Sequence, residues 1–441
     1  MSHKHRNILY LHSHDTGRYI QPYGHAVPTP HLQQLAEEGV LFRRAFSAAP
    51  TCSPSRACLL TGQSAHSNGM LGLAHRGFAL NDYQQHLVHT LRRAGYYSAL
   101  VGIQHIAADT AAIGYDAWPD EPWCGPRSET FHQDVVNKAV DFLTHAPQQP
   151  FFLSVGFFET HREFPEPAAT DSPTYTLVPP TLPDTPATRL DMARYKASAR
   201  LLDQGMGAVL TALQSAGLAD STLVICTTDH GLAFPGMKTT LTDHGLGVML
   251  IMRGPDGFNG GRVLDAMVSQ VDLFPTLCEW LAIEPPPWLQ GQSMLPLIRD
   301  EVAEINEAIF GEVNYHAAYE PQRAVRTQRW KYIRRYDHRR RPVLPNIDDS
   351  LSKDVWLAYG FDQRPVAAEQ LYDLMFDPTE AHNLADDPAM AEVLDDMRGR
   401  LNRWMQATDD PLLQGPIAPP PGAVFNDPDG LSPKEPVLRS S

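Results

Sequence analysis

A chain of 441 residues is long for a single core and argues for at least two domains, and its 43% hydrophobic and 20% charged residues exclude global disorder. A net charge of -15, from 36 Lys plus Arg against 51 Asp plus Glu, repels polyanions at long range and argues against nucleic acid as the main partner. No apolar run approaches the roughly 18 residues a membrane helix needs, so no membrane partner is expected. The four-residue run Ile8 to Leu11 is too short for a secretory h-region, and the expectation is a cytoplasmic chain. Five cysteines, Cys52, Cys58, Cys124, Cys226 and Cys278, are odd in number and scattered, which does not make a disulfide framework.

In chain order, Asn7 to Leu11 reads as a buried parallel strand ending in the polar cluster His12-Ser13-His14-Asp15-Thr16-Gly17, the kind of strand end where α/β folds keep ligands. A helix over Thr29 to Glu38 and a strand over Val40 to Phe46 follow. The alternation continues with helix Gln84 to Ala94 and strand Tyr97 to Gly102, then helix Thr130 to Thr144 and strand Phe151 to Phe157. Helix Ala193 to Ala216 and strand Thr222 to Thr227 come next, and strand Val248 to Met252 and helix Val271 to Leu281 close the series. This pattern predicts an α/β domain over residues 1–303, a large mixed, mostly parallel sheet sandwiched by helices. Past the Pro-rich joint Glu284 to Trp288, strand candidates at Ala324 to Val325 and Trp330 to Ile333 and a helix over Pro388 to Ala407 predict a smaller α+β domain over 304–408. Residues 409–441 are dense in proline and read as an extended tail or surface wrapping.

The sharpest motif is Cys52-Ser53-Pro54-Ser55-Arg56-Ala57-Cys58-Leu59-Leu60-Thr61-Gly62, after the small-residue stretch Ser47 to Pro50. A cysteine leading into a helix is a candidate nucleophile, because helix N-termini lower thiol pKa values, and the plain alternative is a loop cysteine beside a helix cap. The longer string resembles the maturation motif of the sulfatase family. Asp229-His230-Gly231 after a strand, Gly95-Tyr96-Tyr97-Ser98 before one, and Leu371-Tyr372-Asp373-Leu374 with Asp377-Pro378-Thr379-Glu380 and Asn383-Leu384 extend the likeness over about Arg6 to Trp404. Within the family it is nearest to the sulfamate-cleaving branch, through the Cys52 motif, His66-Ser67-Asn68-Gly69-Met70, Phe234-Pro235 and Val268 to Leu281.

The resemblance implies an alkaline-phosphatase-like fold and a hydrolase of sulfate esters or sulfamates. It implies that a formylglycine-generating enzyme oxidises Cys52 to formylglycine, whose hydrate attacks sulfur with one hydroxyl and later expels sulfate with the other. It places a divalent metal on His14, Asp15, Asp229, His230 and the oxygen of converted Cys52, with Arg56, His105, His161 and Lys238 as the remaining catalytic residues. Calcium is the metal of the family, yet His14-Asp15 and Asp229-His230 stand where oxygen-only pairs are usual, and two imidazoles suit manganese or zinc. His14 is either a ligand or a hydrogen-bond donor behind the ligands. His105 lies in Gly102-Ile103-Gln104-His105, where the family's lysine is replaced by Ile103. The cations left for an anionic substrate are then Arg56, Lys238 and protonated His105 or His161.

Asp243-His244-Gly245 repeats the Asp-His-Gly tripeptide but follows no apolar strand, and it is read as a turn in the pocket wall. The basic run Arg334, Arg335, Arg339, Arg340, Arg341 is either a solvated loop or, folded over the site, a holder of a second substrate charge. The expected partner is a small anionic sulfated substrate. The alternatives are a phosphodiesterase or phosphonate monoester hydrolase on the same scaffold and, in a different class, a binding protein without catalysis. A homo-oligomer is left open.

Overall fold

The computed structural model describes residues 6–118, 130–145 and 147–441; Cys124 lies outside them. Its large sheet has eight strands: β1 (Asn7–Ser13), β2 (Val40–Phe46), β3 (Tyr97–Gly102), β4 (Phe151–Gly156), β5 (Thr222–Thr228), β6 (Gly247–Val248), β7 (Leu250–Arg253) and β8 (Arg262–Ser269). The order is β3-β4-β1-β5-β7-β2-β6, with β8 paired to β2. β3, β4, β1 and β5 are mutually parallel, β7 runs against both β5 and β2, and β2 is parallel to β8. It is the mixed, mostly parallel sheet the alternation predicts. Strands β2, β3, β4, β1 and β5 therefore all point their C-terminal ends to one edge.

The central strands are apolar throughout because both faces are covered. Ile8 and Tyr10 of β1 join a cluster with Phe42, Leu59, Leu91, Phe274 and Leu277, while Leu9 and Leu11 join one with Leu32, Leu35, Val136, Leu202 and Met206. Alternate residues thus feed opposite layers. One layer is α2 (Cys52–Thr61), α4 (Leu87–Arg93) and α8 (Leu273–Trp280), and the other is α1 (Pro30–Glu38), α5 (Phe131–Thr144) and α6 (Pro186–Ser215); the short α3 (Ala65–Asn68), α7 (Asp243–Leu246) and α9 (Leu295–Ile298) lie in connections. The sequence reading starts α6 seven residues late, at Ala193. Thr185 and Thr188 form a reciprocal cap and Pro186 occupies the first turn, so the helix opens earlier. The expected strand Val248 to Met252 is split between β6 and β7, and β8 was not foreseen.

A second sheet, ordered β12-β11-β10-β9, is antiparallel: β9 (Ala308–Tyr315), β10 (Tyr319–Thr327), β11 (Trp330–Arg335) and β12 (Glu369–Asp373). Helix α10 (Leu351–Ala358) lies in the connection from β11 to β12, and α11 (Ala391–Ala407) follows. Val325, Tyr332 and Leu371 face Leu394, Met397 and Leu401 of α11, whereas Ala324, Ile333 and Tyr372 pack with Phe46, Leu246 and Met267 of the large domain. The segment after Asp409 is anchored: Asp410 is buried against Arg323, the Ile417 carbonyl accepts from Tyr315, and β13 (Val424–Asn426) pairs with β14 (Val437–Arg439). Among the described residues no helix is long and apolar enough to cross a membrane.

Candidate active site

The strand ends of the large sheet bring the sequence-predicted residues to one place. His14 and Asp15 follow β1, Asp229 and His230 follow β5, His105 follows β3, His161 follows β4, and the connection after β2 leads to Cys52 at the first position of α2. Every residue of α2 is buried. Pro54 costs nothing in a first turn, where no intrahelical donor is needed, and the left-handed Gly62 ends the helix; a Cβ there would meet Leu289 at 2.5 Å. Four residues apart on this helix, Cys52 and Arg56 share a face.

Cys52 Sγ lies 3.3 Å from His230 Nε2 and 4.0 Å from Asp15 Oδ1. Arg56 donates to the Ser13 carbonyl at 2.7 Å and to Asp229 Oδ2 at 3.1 Å, and its other terminal nitrogen is 2.6 Å from His12 Nδ1. A guanidinium can only donate, so His12 Nδ1 accepts and its Nε2 carries the proton toward Ser154 Oγ at 3.2 Å. Asp229 Oδ1 accepts from the amides of Asp15 and His230, at 2.8 and 3.0 Å. Lys238 Nζ is 3.0 Å from Asp15 Oδ2 and 3.0 Å from Asp348 Oδ2. The rings of His105 and His161 each lie 5.7 Å from that of His14.

Burial sets the protonation states. It pushes Cys52 well above the usual thiol range, with Asp15 and Asp229 adding to it and Lys238 and Arg56 opposing. The thiol is therefore neutral, and the helix N-terminus does not make it the thiolate the sequence alone suggests. Burial, then Arg56, holds His12 and His14 well below the ordinary imidazole value, and burial with the neighbouring histidines and Arg56 does the same to His105. His161 is likewise lowered by burial and Lys238, although Asp15 opposes this. The expected protonated His105 or His161 is thus corrected: near pH 7 both rings are neutral and the cations are Arg56 and Lys238. Burial disfavours the Lys238 ammonium, but Asp15 and Asp348 override it and hold its pKa well above normal. Burial also disfavours the Asp229 carboxylate, and His230, Arg56 and His14 reverse this.

The donor set fits a divalent cation. Ligand atoms of His14, Asp15, Cys52 and Asp229 all lie within 4.8 Å of one another, and buried His14 Nε2 has no hydrogen-bond partner. His230 Nδ1 donates to the Gly231 carbonyl at 2.9 Å, and its Nε2 faces Asp15 at 3.3 Å and Asp229 at 3.7 Å. The His14 ring and the two carboxylates converge on one point. A ring nitrogen fixed by a backbone carbonyl behind it is how metal-binding imidazoles are oriented.

Several residues near this point escaped the sequence reading. Asp348, from the loop before α10, shares Lys238; His75 Nδ1 is 3.1 Å from His105 Nε2; buried His316 lies close enough to help depress the Asp348 pKa. None sits in a motif, and only the run Asp348-Asp349 before a helix start was there to notice. Asp243 and His244 line a surface pocket with Arg18, Tyr19 and His25. Asp243 begins the four-residue α7 and pairs with Arg326 at 3.0 Å and with Lys331. In the basic run, Arg335 pairs with Glu320 and Asp337 and Arg339 with Asp429, while Arg340 and Arg341 are exposed.

A mixed sheet that gathers a buried cysteine, carboxylates, imidazoles and a lysine at its strand ends has the makings of an α/β hydrolase site. The sulfatase family profile matches residues 6–283, and the profile of the C-terminal part of N-sulphoglucosamine sulphohydrolase matches 236–348. The chain is 32% identical to N-sulphoglucosamine sulphohydrolase of Homo sapiens, over 93% of this chain and 92% of that protein. It is 29% identical to an ulvan-active sulfatase of Formosa agariphila, over 92% and 75% respectively. A solved structure described in complex with its substrate D-glucosamine-2-N,6-O-disulfate shares the fold, with a TM-score of 0.73 at 18% identity over 92% of this chain and 99% of that one. The chain belongs to the sulfatase family, and its enzyme class is that of hydrolases of sulfate esters or sulfamates.

Proposed function

We propose that this protein removes sulfate from a sulfated amino sugar, from nitrogen in preference to oxygen, using Cys52 after its oxidation to formylglycine and one divalent metal. The observation that carries the reading is the position of Cys52, at the start of a wholly buried helix, 3.3 Å from His230 Nε2 and 4.0 Å from Asp15. A neutral buried thiol is a poor nucleophile, which supports conversion over direct thiolate attack. Formylglycine supplies hydroxyls for both attack on sulfur and release of sulfate. His14, Asp15, Asp229 and His230 would hold the metal, which supplies positive charge for the sulfate oxygens; two imidazoles with two carboxylates favour zinc or manganese over calcium.

The chain's own groups do the rest. Arg56 fixes Asp229 and the backbone of Ser13, so the carboxylate cannot turn from the centre. Lys238 stays charged at neutral pH and is shared between Asp15 and Asp348, which places one cation beside the acids for an anionic group. Neutral His105 and His161 can hold or pass the proton that a leaving nitrogen or oxygen requires. The preference for nitrogen rests on the human relative's printed activity.

The reading is tested by the mass of the Cys52 peptide, expected to show sulfur and two hydrogens exchanged for oxygen, together with release of sulfate from N-sulfated and 6-O-sulfated glucosamine before and after chelation. An unmodified thiol in fully active protein, or full activity without metal, would overturn it. A second reading, a phosphonate or phosphate diester hydrolase, is favoured by Ile103, an apolar side chain 2% exposed where the family resemblance expects a lysine. Turnover of a phosphonate monoester exceeding that of both sulfated sugars would establish it.

A further inference from the structure

Beside the site lies a second pocket of about 500 Å³ between the start of α6 and helix α10, lined by Thr181, Trp356, Tyr359, Phe361 and Arg364 among others. Its position follows from the fold. Helix α6 precedes β5 and runs against it, so its N-terminus lies at the sheet edge that carries the active site. The Tyr195 hydroxyl reaches the Thr16 carbonyl just past β1, at 3.1 Å, and Pro186, nine residues earlier, stands about 13 Å farther out along the helix. From the other side, Trp356 packs with Phe234 and Met237, and a Cβ on Gly236 would come within 3.1 Å of its ring. Those residues belong to the connection that carries Lys238. The loop before α10 supplies Asp348. The pocket therefore flanks the mouth of the catalytic site.

Its lining is unusual for a surface. Gly360, in the left-handed conformation, ends α10 and folds the chain back so that Phe361 lies 4.2 Å, centroid to centroid, from Trp356. Tyr359 is 85% exposed beside them. Thr181 Oγ1 is buried in the wall without a hydrogen-bond partner. Arg364, in the lining, is exposed and held by no ion pair among the described residues. In a chain of net charge -15, an unpaired guanidinium beside an aromatic shelf is complementary to a ring with an apolar face and an anionic substituent.

We propose that this pocket is a subsite for a second sugar of a sulfated glycan, its ring stacked on Trp356 and Tyr359 and its sulfate or carboxylate bound by Arg364, while the terminal sugar occupies the catalytic site. The proposal rests on the sulfated-sugar reading above and adds the chain length of the substrate.

The test compares N-sulfated glucosamine with a glycosaminoglycan hexasaccharide ending in that sugar, in wild type, Tyr359→Ala and Arg364→Ala. Both side chains are exposed, so the variants should keep the wild-type melting temperature. The expected result is a KM for the hexasaccharide raised about tenfold in each variant, with kcat/KM for the monosaccharide unchanged. Unchanged hexasaccharide kinetics would overturn the subsite and leave the catalytic reading standing. If wild type cleaves neither sugar the catalytic reading fails, and binding of a hexasaccharide with an N-acetylated terminus decides the subsite alone: weaker binding by both variants upholds it, and equal binding overturns it.

Discussion

Two regions of this molecule bury charge, and they treat it differently. Where the small sheet meets the large domain, each buried charge has its opposite. Arg323 lies against Asp410 at 2.9 Å and Glu312 at 3.4 Å, Glu312 also takes His66 at 3.0 Å, and Asp243 is held by Arg326 and Lys331. At the strand ends, Asp15, Asp229 and the buried rings of His14 and His230 crowd one point, with His14 Nε2 unpartnered. The first region spends charge on joining two parts of the chain. The second, although Lys238 and Arg56 pair with Asp15 and Asp229, leaves the His14 ring nitrogen without a partner. Buried polar groups left unpaired mark function because the fold gains nothing by keeping them.

The contrast can be broken first at Cys52. Cys52→Ser should lose multiple turnover altogether while the melting temperature stays within a degree or two, since one oxygen replaces one sulfur in a neutral side chain. Undiminished turnover by the serine protein in a multiple-turnover assay would sink the formylglycine mechanism. The reverse pattern is expected at the joint: Asp410→Ala leaves Arg323 buried and short of a partner, and should cost about 3–5 kcal/mol in denaturant unfolding with kcat/KM of the folded protein retained. Equal loss of activity and stability there would erase the distinction between the regions.

Between these extremes lies Lys238→Ala, expected to lower kcat/KM by about a hundredfold, the scale of one preorganised electrostatic contact. Smallest is a pH effect at the joint. Burial, with Asp243 adding and Lys331 opposing, pushes Glu380 up to about 7. A raised carboxyl pKa means the folded chain holds a proton the unfolded one releases. Its contribution to stability is then complete below the unfolded value and lost as pH rises through about 7. Glu380→Gln should remove that slope, at most about 1.4 kcal/mol per pH unit, from unfolding curves between pH 5 and 7.5. An unchanged slope would place the titration elsewhere.

The regions also differ in how far the sequence discloses them. Parallel strands such as Ile8 to Leu11 and Phe151 to Phe157 are continuous apolar runs, and the polar cluster after each marks the edge where ligands bind. That is why His14, Asp15, Asp229 and His161 could be placed at strand ends from residue order alone. Strand β8 was missed because its first half is partly exposed, and β9 and β12 because the small sheet has no repeating helix between strands to announce them. Asp348, His75 and His316 reach the site through pairings far apart in the chain, and Asp348 meets Lys238 across 110 positions. No local pattern encodes such a distance. The same holds for Asp243, whose tripeptide copies the Asp229 motif and whose partners lie on another sheet.

The covering of Cys52 also sets a clock. Its side chain is 1% exposed, and the ring that lies on it, His230, is 178 positions downstream. A second protein that must reach the thiol, as the proposed conversion requires, has access only before that later segment closes over it. At about 5–20 residues per second of synthesis, the intervening stretch takes roughly 9–36 seconds to emerge. Rapid completion of the large sheet therefore works against maturation, and slower translation between Cys52 and Asp229 would raise the converted fraction without altering any residue of the site.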